Sequence, residues 1–292
     1  MDRFTRPNTL SRFLCILIVL FFLYLPDNAN CSENPQDGYI FGVFPFLPCS
    51  NLEGVFAPIA SELSKSTGKP VSFRLTSSYS AFVSALKEER FDIVHVHPFD
   101  YIQYAASKGY IPLVARVEPL YAQFSSKTGS SIQQIKDLKG KRLGTPPPTG
   151  AVTYLAKSAL QKAGLTPGKD VTLKYYPNHL ACLQNLQIGT VDACVTSAST
   201  LKTFESQLNI KLQRIGASVS IPHSLFAVHK RVPPADIEKF RNTLMTSTFS
   251  QIPPKLRSLF IESASATSGR YFRPVEDKDY NQVRTIIRQI EK

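Results

Sequence analysis

The chain carries none of the short motifs that mark common enzyme classes. No G-x-S-x-G nucleophile elbow, Walker A phosphate loop, H-E-x-x-H zinc helix or glycine-rich dinucleotide fingerprint occurs in its 292 residues. Catalysis is therefore not expected, and neither a catalytic residue nor a cofactor is assigned. None of the five cysteines falls in a CxxC or CxxCH pair, which removes zinc ribbons and covalently attached haem. Acidic residues are scarce beside basic ones, 22 Asp and Glu against 34 Lys and Arg, for a formal charge of +12 that favours anionic partners. Those cations stand singly between apolar residues, without a dense basic block or an aromatic platform, so nucleic acid is not the expected partner. A diffuse positive field suited to small anions remains. Repeats, low-complexity tracts and long linkers are also missing.

Long apolar runs are nearly absent too. The one exception, "LCILIVLFFLYL" from Leu14 to Leu25, follows Arg3, Arg6 and Arg12 and precedes polar "PDNAN". At about 12 residues it falls short of the roughly 20 that span a bilayer and fits a secretory signal. Residues 1–30 are accordingly set aside as a signal peptide, and a periplasmic location is expected. Cys31 follows at once, but "NAN" before it lacks the small apolar residues of a lipoprotein signal, which disfavours lipid anchoring there. Export would allow disulfides. Cys31, Cys49, Cys182 and Cys194 remain as buried thiols or one bridge, with Cys182 and Cys194 the favoured pair because a helix and a strand would hold them.

What is present is an alternation of short β-rich runs with helical periods. "YIFGVFPFL", "PVSFRLT", "FDIVHVHP" and "YIPLVARV" read as strands. Between them "LEGVFAPIASELSKSTG" places Val55, Ile59 and Leu63 on one helical face, "SYSAFVSALKEER" opens on a serine cap, and "FDYIQYAASKG" is a short helix. This βαβαβα order implies a parallel sheet covered by helices. A second cycle starts near Pro119: strands "LYAQFSS", "KRLGT", "VTLKYYP" and "VDACVTSA", with helices "TGAVTYLAKSALQKAG" and "HLACLQNLQIG". Further strand follows in "IKLQRIGASVSIPHSLFAVHKRV". The amphipathic segments "PPADIEKFRNTLMTS" and "DKDYNQVRTIIRQIEK" are expected to return over the first unit. Two α/β units imply two lobes, 38–117 with 218–292 and 118–217, joined by two short crossings around a ligand cleft.

Over about residues 38 to 250 the chain resembles the type II periplasmic solute-binding proteins of the phosphate, phosphite and phosphonate ABC transporters. The resemblance rests on "APIASELSKSTGKPV", "TSSYSAFVSALKEERFDIVHVHPFDYIQYAASKGYIPLVAR", "SIQQIKDLKGKRLGTPPPTG" and "NHLACLQNLQIGTVDACVT", in that order. It implies a two-lobed α/β fold, each lobe a mostly parallel sheet flanked by helices and joined by two hinge strands. It further implies a monomer that captures a small oxyanion, phosphonate-like or phosphite-like, for an ABC transporter permease. A ligand sensor feeding a membrane kinase would need the same pocket. Capture of a metal or of an arsenite-like metalloid, with Cys49 near the cleft mouth, is a further alternative, although no metal-ligand set is assigned.

The stretch "GTPPPTGAVTYLAKSAL" supplies the main site expectation. Free N–H groups at a helix start carry about half a positive charge, which suits an oxyanion. Thr149 is the expected cap, Gly150 allows close backbone approach, and the helix-start amides around Thr149, Gly150 and Ala151 are expected to hold the oxygens. The relatives carry serines and threonines before this glycine; here prolines replace most of them and leave the hydroxyls of Thr145, Thr149 and Thr153. The resemblance assigns ligand contacts to His179, which opens a helix, and to Tyr79. His95 and His97 lie two apart on a strand and are expected on one face; His97, at the strand end, is either an extra anion donor or a satisfied structural histidine. Phe44 and Phe46, at the end of the first strand, either line an apolar wall of the cleft or pack in the core; Phe46 is carried as a ligand-site residue.

Overall fold

In the computed structural model, β1 (Tyr39–Val43), α1 (Cys49–Thr67), β2 (Val71–Arg74), α2 (Tyr79–Lys87) and β3 (Ile93–Val96) alternate as the periodicity predicts. The structure describes residues 38–260 and 271–291, so the expected signal peptide (1–30) and Cys31 lie outside it. α1 buries Leu52, Val55, Phe56, Ile59 and Leu63 and stops at Gly68, whose φ of 72° suits a residue without Cβ. Ser78 caps α2 by accepting the Ala81 N–H at 3.1 Å. The short helix expected after β3 is irregular: an α turn (Pro98–Asp100), a π turn (Tyr101–Ala105) and a 3-10 turn (Ala106–Lys108) precede β4 (Tyr110–Arg116).

The second cycle comprises β5 (Gln123–Lys127), β6 (Arg142–Thr145), α3 (Ala151–Lys162), β7 (Thr172–Tyr175), α4 (His179–Ile188), β8 (Ala193–Thr196), α5 (Ala198–Leu208) and β9 (Leu212–Ala217). β10 (Leu225–His229), α6 (Pro234–Thr246), α7 (Pro254–Phe260), β11 (Phe272–Pro274) and α8 (Asn281–Ile290) follow. The first sheet has the order β11-β4-β10-β3-β1-β2 and the second β7-β6-β8-β5-β9. Each is mostly parallel in strand direction but not in pairing. β10 is inserted antiparallel between β3 and β4, with β11 antiparallel outside β4, and β5 is inserted antiparallel between β8 and β9.

The crossings explain the inserted strands. Gln123 opens β5 opposite Thr196, which ends β8, and Leu225 opens β10 opposite Val96, which ends β3. Each crossing therefore enters its new sheet at the carboxyl edge of the parallel strands and must run away from it. The same geometry places the carboxyl edges of both sheets beside the two crossings. There the crossings are tied by paired backbone bonds between Leu120 and Ile221, both 2.9 Å, and by Arg116 N–H to Ser224 C=O at 3.2 Å.

α6 packs on α1, but α8 departs from expectation: it packs chiefly on α3 of the second sheet, where Ser158 Oγ donates to Gln289 Oε1 at 2.9 Å. Its buried Val283, Ile286 and Ile287 join a cluster drawn from both sheets. At about 1.5–3 kcal/mol for each fully buried aliphatic side chain, burial of that face holds α8 against the body of the protein. The chain thus passes between the sheets a third time, and Asp37–Lys292 holds together as one compact unit. Cys182 on α4 and Cys194 on β8 form a disulfide with Cα atoms 6.0 Å apart, while Cys49 is a free, exposed thiol. Among the described residues no helix is long and apolar enough to cross a membrane.

Candidate ligand-binding site

Loops that follow parallel strands gather at the carboxyl edge of a sheet, and in open α/β sheets that edge carries the ligand crevice. On the first sheet the edge holds Phe44 and Phe46 after β1, Tyr79 after β2 and His97 after β3. Phe44 and Phe46 stack with centroids 4.6 Å apart, and Phe46 remains 36% exposed, so one face of this wall is open. His95 is buried against Phe44, Phe56 and Phe226, and burial lowers its pKa well below the ordinary value, so this imidazole is neutral packing.

His97 and Tyr79 converge on Asp100, which is buried. The Asp100 N–H reaches His97 Nδ1 at 3.4 Å, which places the ring proton on Nε2, and Nε2 lies 2.9 Å from Asp100 Oδ2. The Tyr79 hydroxyl donates to Asp100 Oδ1 at 2.5 Å, and burial, followed by the Asp100 charge, raises its pKa. Of the two side chains expected to donate to a ligand, Tyr79 thus donates to a carboxylate of its own sheet, while His97 accepts from the Asp100 N–H and lies against the same carboxylate without a hydrogen bond from Nε2.

On the second sheet β6, β7 and β8 end together: Thr145 pairs with Tyr175 and Gly144 with Cys194. The starts of α3, α4 and α5 consequently share one edge. At α3 the helix begins one residue later than expected. Gly150 is the N-cap, with extended backbone and, as a glycine, no side chain to cap; its N–H turns back to Pro147 C=O at 2.8 Å. Thr149 is therefore left exposed in the turn and does not cap. The hydroxyls of Thr145 and Thr153 are buried and both donate to Pro146 C=O, at 2.8 and 3.1 Å. Only Thr149 keeps an outward hydroxyl, while among the described hydrogen bonds none takes the N–H of Ala151 or Val152.

At α4, Asn178 caps by accepting the Ala181 N–H at 2.8 Å, which fixes where His179 stands. His179 Nδ1 accepts the Ser197 N–H at 3.1 Å, so the ring proton sits on Nε2 and that nitrogen is a neutral donor. Burial pushes its pKa down to about 4. Ser197 itself caps α5 and lines a cavity of about 250 Å³ with Ala198, Ser199, residues Glu118 to Tyr121 of the first crossing and His223 of the second. Beside it Arg116 Nε pairs with Glu118 Oε2 at 3.5 Å. The two edges also touch directly: the Phe99 and Tyr154 rings stack with centroids 4.6 Å apart.

A two-sheet fold with two crossings and a cavity where they meet suits a protein that holds a small solute between its sheets. The model of the family described as ABC transporter, phosphonate, periplasmic substrate-binding protein matches residues 41–280. The chain belongs to this family.

Solved structures agree on the fold of this substrate-binding protein. PhnD1 from Prochlorococcus marinus in complex with methylphosphonate superposes with a TM-score of 0.68 at 17% identity, over 88% of this chain and 99% of that one. A binding protein component of an ABC phosphonate transporter from Pseudomonas aeruginosa gives 0.66 at 14% identity, over 87% of each chain. A Xanthomonas citri protein bound to ATP gives 0.67 at 13% identity, over 87% of this chain and 97% of that one. All are type II periplasmic binding folds, and the family is one of transporter solute-binding proteins, not of enzymes.

In this binding protein the residues singled out from the sequence all fall on the two carboxyl edges, but in unequal states. Among the described hydrogen bonds none takes His179 Nε2–H or Ala151 N–H, and Phe46 is partly exposed; Tyr79 and His97 lie against Asp100; Thr149 is exposed beside Gly150. Arg116, Ser197 and His223 were not singled out. Arg116 ends β4 and His223 lies in the second crossing, where no strand or helix pattern marks a side chain, though the basic excess together with their place at the inferred hinge could have drawn attention to them. Among the described residues no group of three His, Cys, Asp or Glu could hold a metal ion.

The buried histidines make stability depend on pH. The folded protein holds His179 neutral down to about 4, whereas an unfolded chain protonates near 6.5. Stability is therefore full above about pH 6.5 and falls as pH drops toward 4. At about 1.4 kcal/mol per unit, reduced for the partly open ring, His179 accounts for about 1–3 kcal/mol of this. Thermal melts across pH 4–7 should show the decline, and His179→Gln should flatten it; equal slopes in the two proteins would refute the assignment.

Proposed function

We propose that the protein, once exported, captures a small oxyanion of the phosphonate or phosphite type between its two carboxyl edges and presents it to the permease of an ABC transporter. What supports this reading most is His179, a neutral imidazole whose Nδ1 accepts the Ser197 N–H, which leaves Nε2–H as an oriented donor next to a residue that lines the cavity. A donor oriented before the ligand arrives needs no reorganisation on binding, and hydrogen bonds to an anion are about twice as strong as neutral ones. The amides of Ala151 and Val152 add the positive end of α3. Phe46 supplies an apolar wall for a carbon substituent. With prolines at 146–148 the α3 loop offers fewer amide donors than a serine-rich loop would, which shifts the burden of binding toward His179 and the hinge.

Closure follows from contacts made to both edges at once, since a ligand favours the state it touches more. The Phe99–Tyr154 stack contributes to that state without ligand. A thermal-shift series with methylphosphonate, phosphite, phosphate and sulfate tests the proposal. At a hundredfold excess over Kd a bound ligand adds about 2.7 kcal/mol, which in a protein of this size raises Tm by about 5–10 °C. No shift with any phosphorus oxyanion would overturn it.

A further inference from the structure

We infer that the hinge itself takes part in recognition: His223 is a ligand-contacting residue that donates from Nε2 to a small tetrahedral oxyanion seated between the two crossings. This rests on the oxyanion reading above and adds where the anion sits and what limits its size. His223 belongs to the crossing between β9 and β10. Its Nδ1 accepts the Ser224 N–H at 2.7 Å, so the ring proton is on Nε2, the nitrogen turned away from that backbone. The ring lines the 250 Å³ cavity together with Glu118 to Tyr121 and Ser197 to Ser199, and so meets both crossings and the second sheet in one place.

The groups around His223 favour negative charge. Arg116 stands behind it, bonded through its N–H to Ser224 C=O and ion-paired to Glu118. His95 approaches from the first sheet and His179 from the second, the latter through Ser197. Burial, followed by the Arg116 charge, holds His223 neutral; His95 and His179 are themselves neutral, so Arg116 is the group whose charge would stabilise an anion placed against the His223 N–H. Glu118 is the one acidic side chain lining the cavity, and its pairing with Arg116 offsets its repulsion.

Size sets the specificity. The cavity falls below the range of about 300–1,000 Å³ that encloses drug-sized ligands, so it admits an inorganic oxyanion or one with a short substituent. Its position makes occupancy depend on closure, because the lining segments are the ones that bend.

Calorimetry on the exported chain with methylphosphonate, phosphite and phosphate, for wild type, His223→Ala and His223→Gln, tests the inference. His223→Ala should weaken the best-bound anion about tenfold to a hundredfold, and His223→Gln, which keeps an N–H donor, by less than tenfold. Melting points without ligand should agree within a few degrees. Wild-type binding matched within twofold by His223→Ala would overturn the inference and leave the oxyanion reading intact; no binding by wild type would overturn both. Should His223→Ala not fold, the His223 ring resonances of wild type decide: a shift on saturation with the bound anion supports the contact, and their constancy refutes it.

Discussion

Replacing His179 by alanine should weaken methylphosphonate or phosphite binding by about tenfold to a hundredfold while the fold survives. The removed group is a partly buried ring that makes one backbone hydrogen bond, to Ser197 N–H at 3.1 Å. Losing that acceptor costs about 1 kcal/mol of stability, whereas losing a hydrogen bond to a charged ligand costs about 1.5–3 kcal/mol of affinity. The two losses are separable: circular dichroism and melting report the first, calorimetry the second. His179→Asn is the informative companion, because its amide can stand in for Nδ1 toward Ser197 and cannot reach as far as Nε2. It should restore the melting point and not the affinity. If both variants bind as wild type does, His179 is a capping-region histidine and not a ligand donor.

The second large effect concerns stability. Reducing the Cys182–Cys194 bridge, or replacing both cysteines by serine, should destabilise the protein by about 3 kcal/mol, the loop-closure entropy of a bridge with a sequence separation of 12. For a chain of this length that is about 6–12 °C in Tm. The bridge pins α4 to β8, directly behind His179 and the Ser197 cap, so reduction should also weaken anion binding. A melting point unchanged by reductant would contradict the expectation; Cys49 provides the internal control, since alkylation of this exposed thiol should leave both properties unaltered.

These expectations show which parts of the molecule its sequence reveals. The run from Tyr39 to Val96 is legible because apolar spacing changes cleanly between strand and helix periods, and because Ser78 and Gly68 punctuate it. α5 is not marked in the same way. Its buried side chains are Leu201, Phe204 and Glu205, and the carboxylate of Glu205 is held at a pKa of about 2 by Arg214, 2.6 Å away. A buried acid paired to a distant arginine breaks an apolar period without breaking the helix. β5 and β10 are legible as strands, but their antiparallel direction is hidden, since it depends on which edge a crossing reaches and leaves no local pattern.

The site was legible by element and not by atom. His179 and Ala151 follow from helix starts that the sequence marks. The engagement of Tyr79 and His97 with Asp100 could not be read, because Asp100 lies inside a predicted helix and its partners come from two other segments. Thr149 misled for a different reason: threonine before glycine is an ordinary capping pattern, and only the turn imposed by Pro147 moves the cap to Gly150. His223 shows the complementary failure, a side chain in a short connection whose surroundings are assembled entirely by tertiary contacts.

A crystal structure with methylphosphonate or phosphite soaked or co-crystallised tests the central claim most directly. The account predicts anion oxygens within hydrogen-bonding distance, about 3 Å, of His179 Nε2, enclosed between the two sheets near the crossings. An anion bound on an outer face, or a cleft that stays empty while His179 Nε2 meets only water, would contradict it.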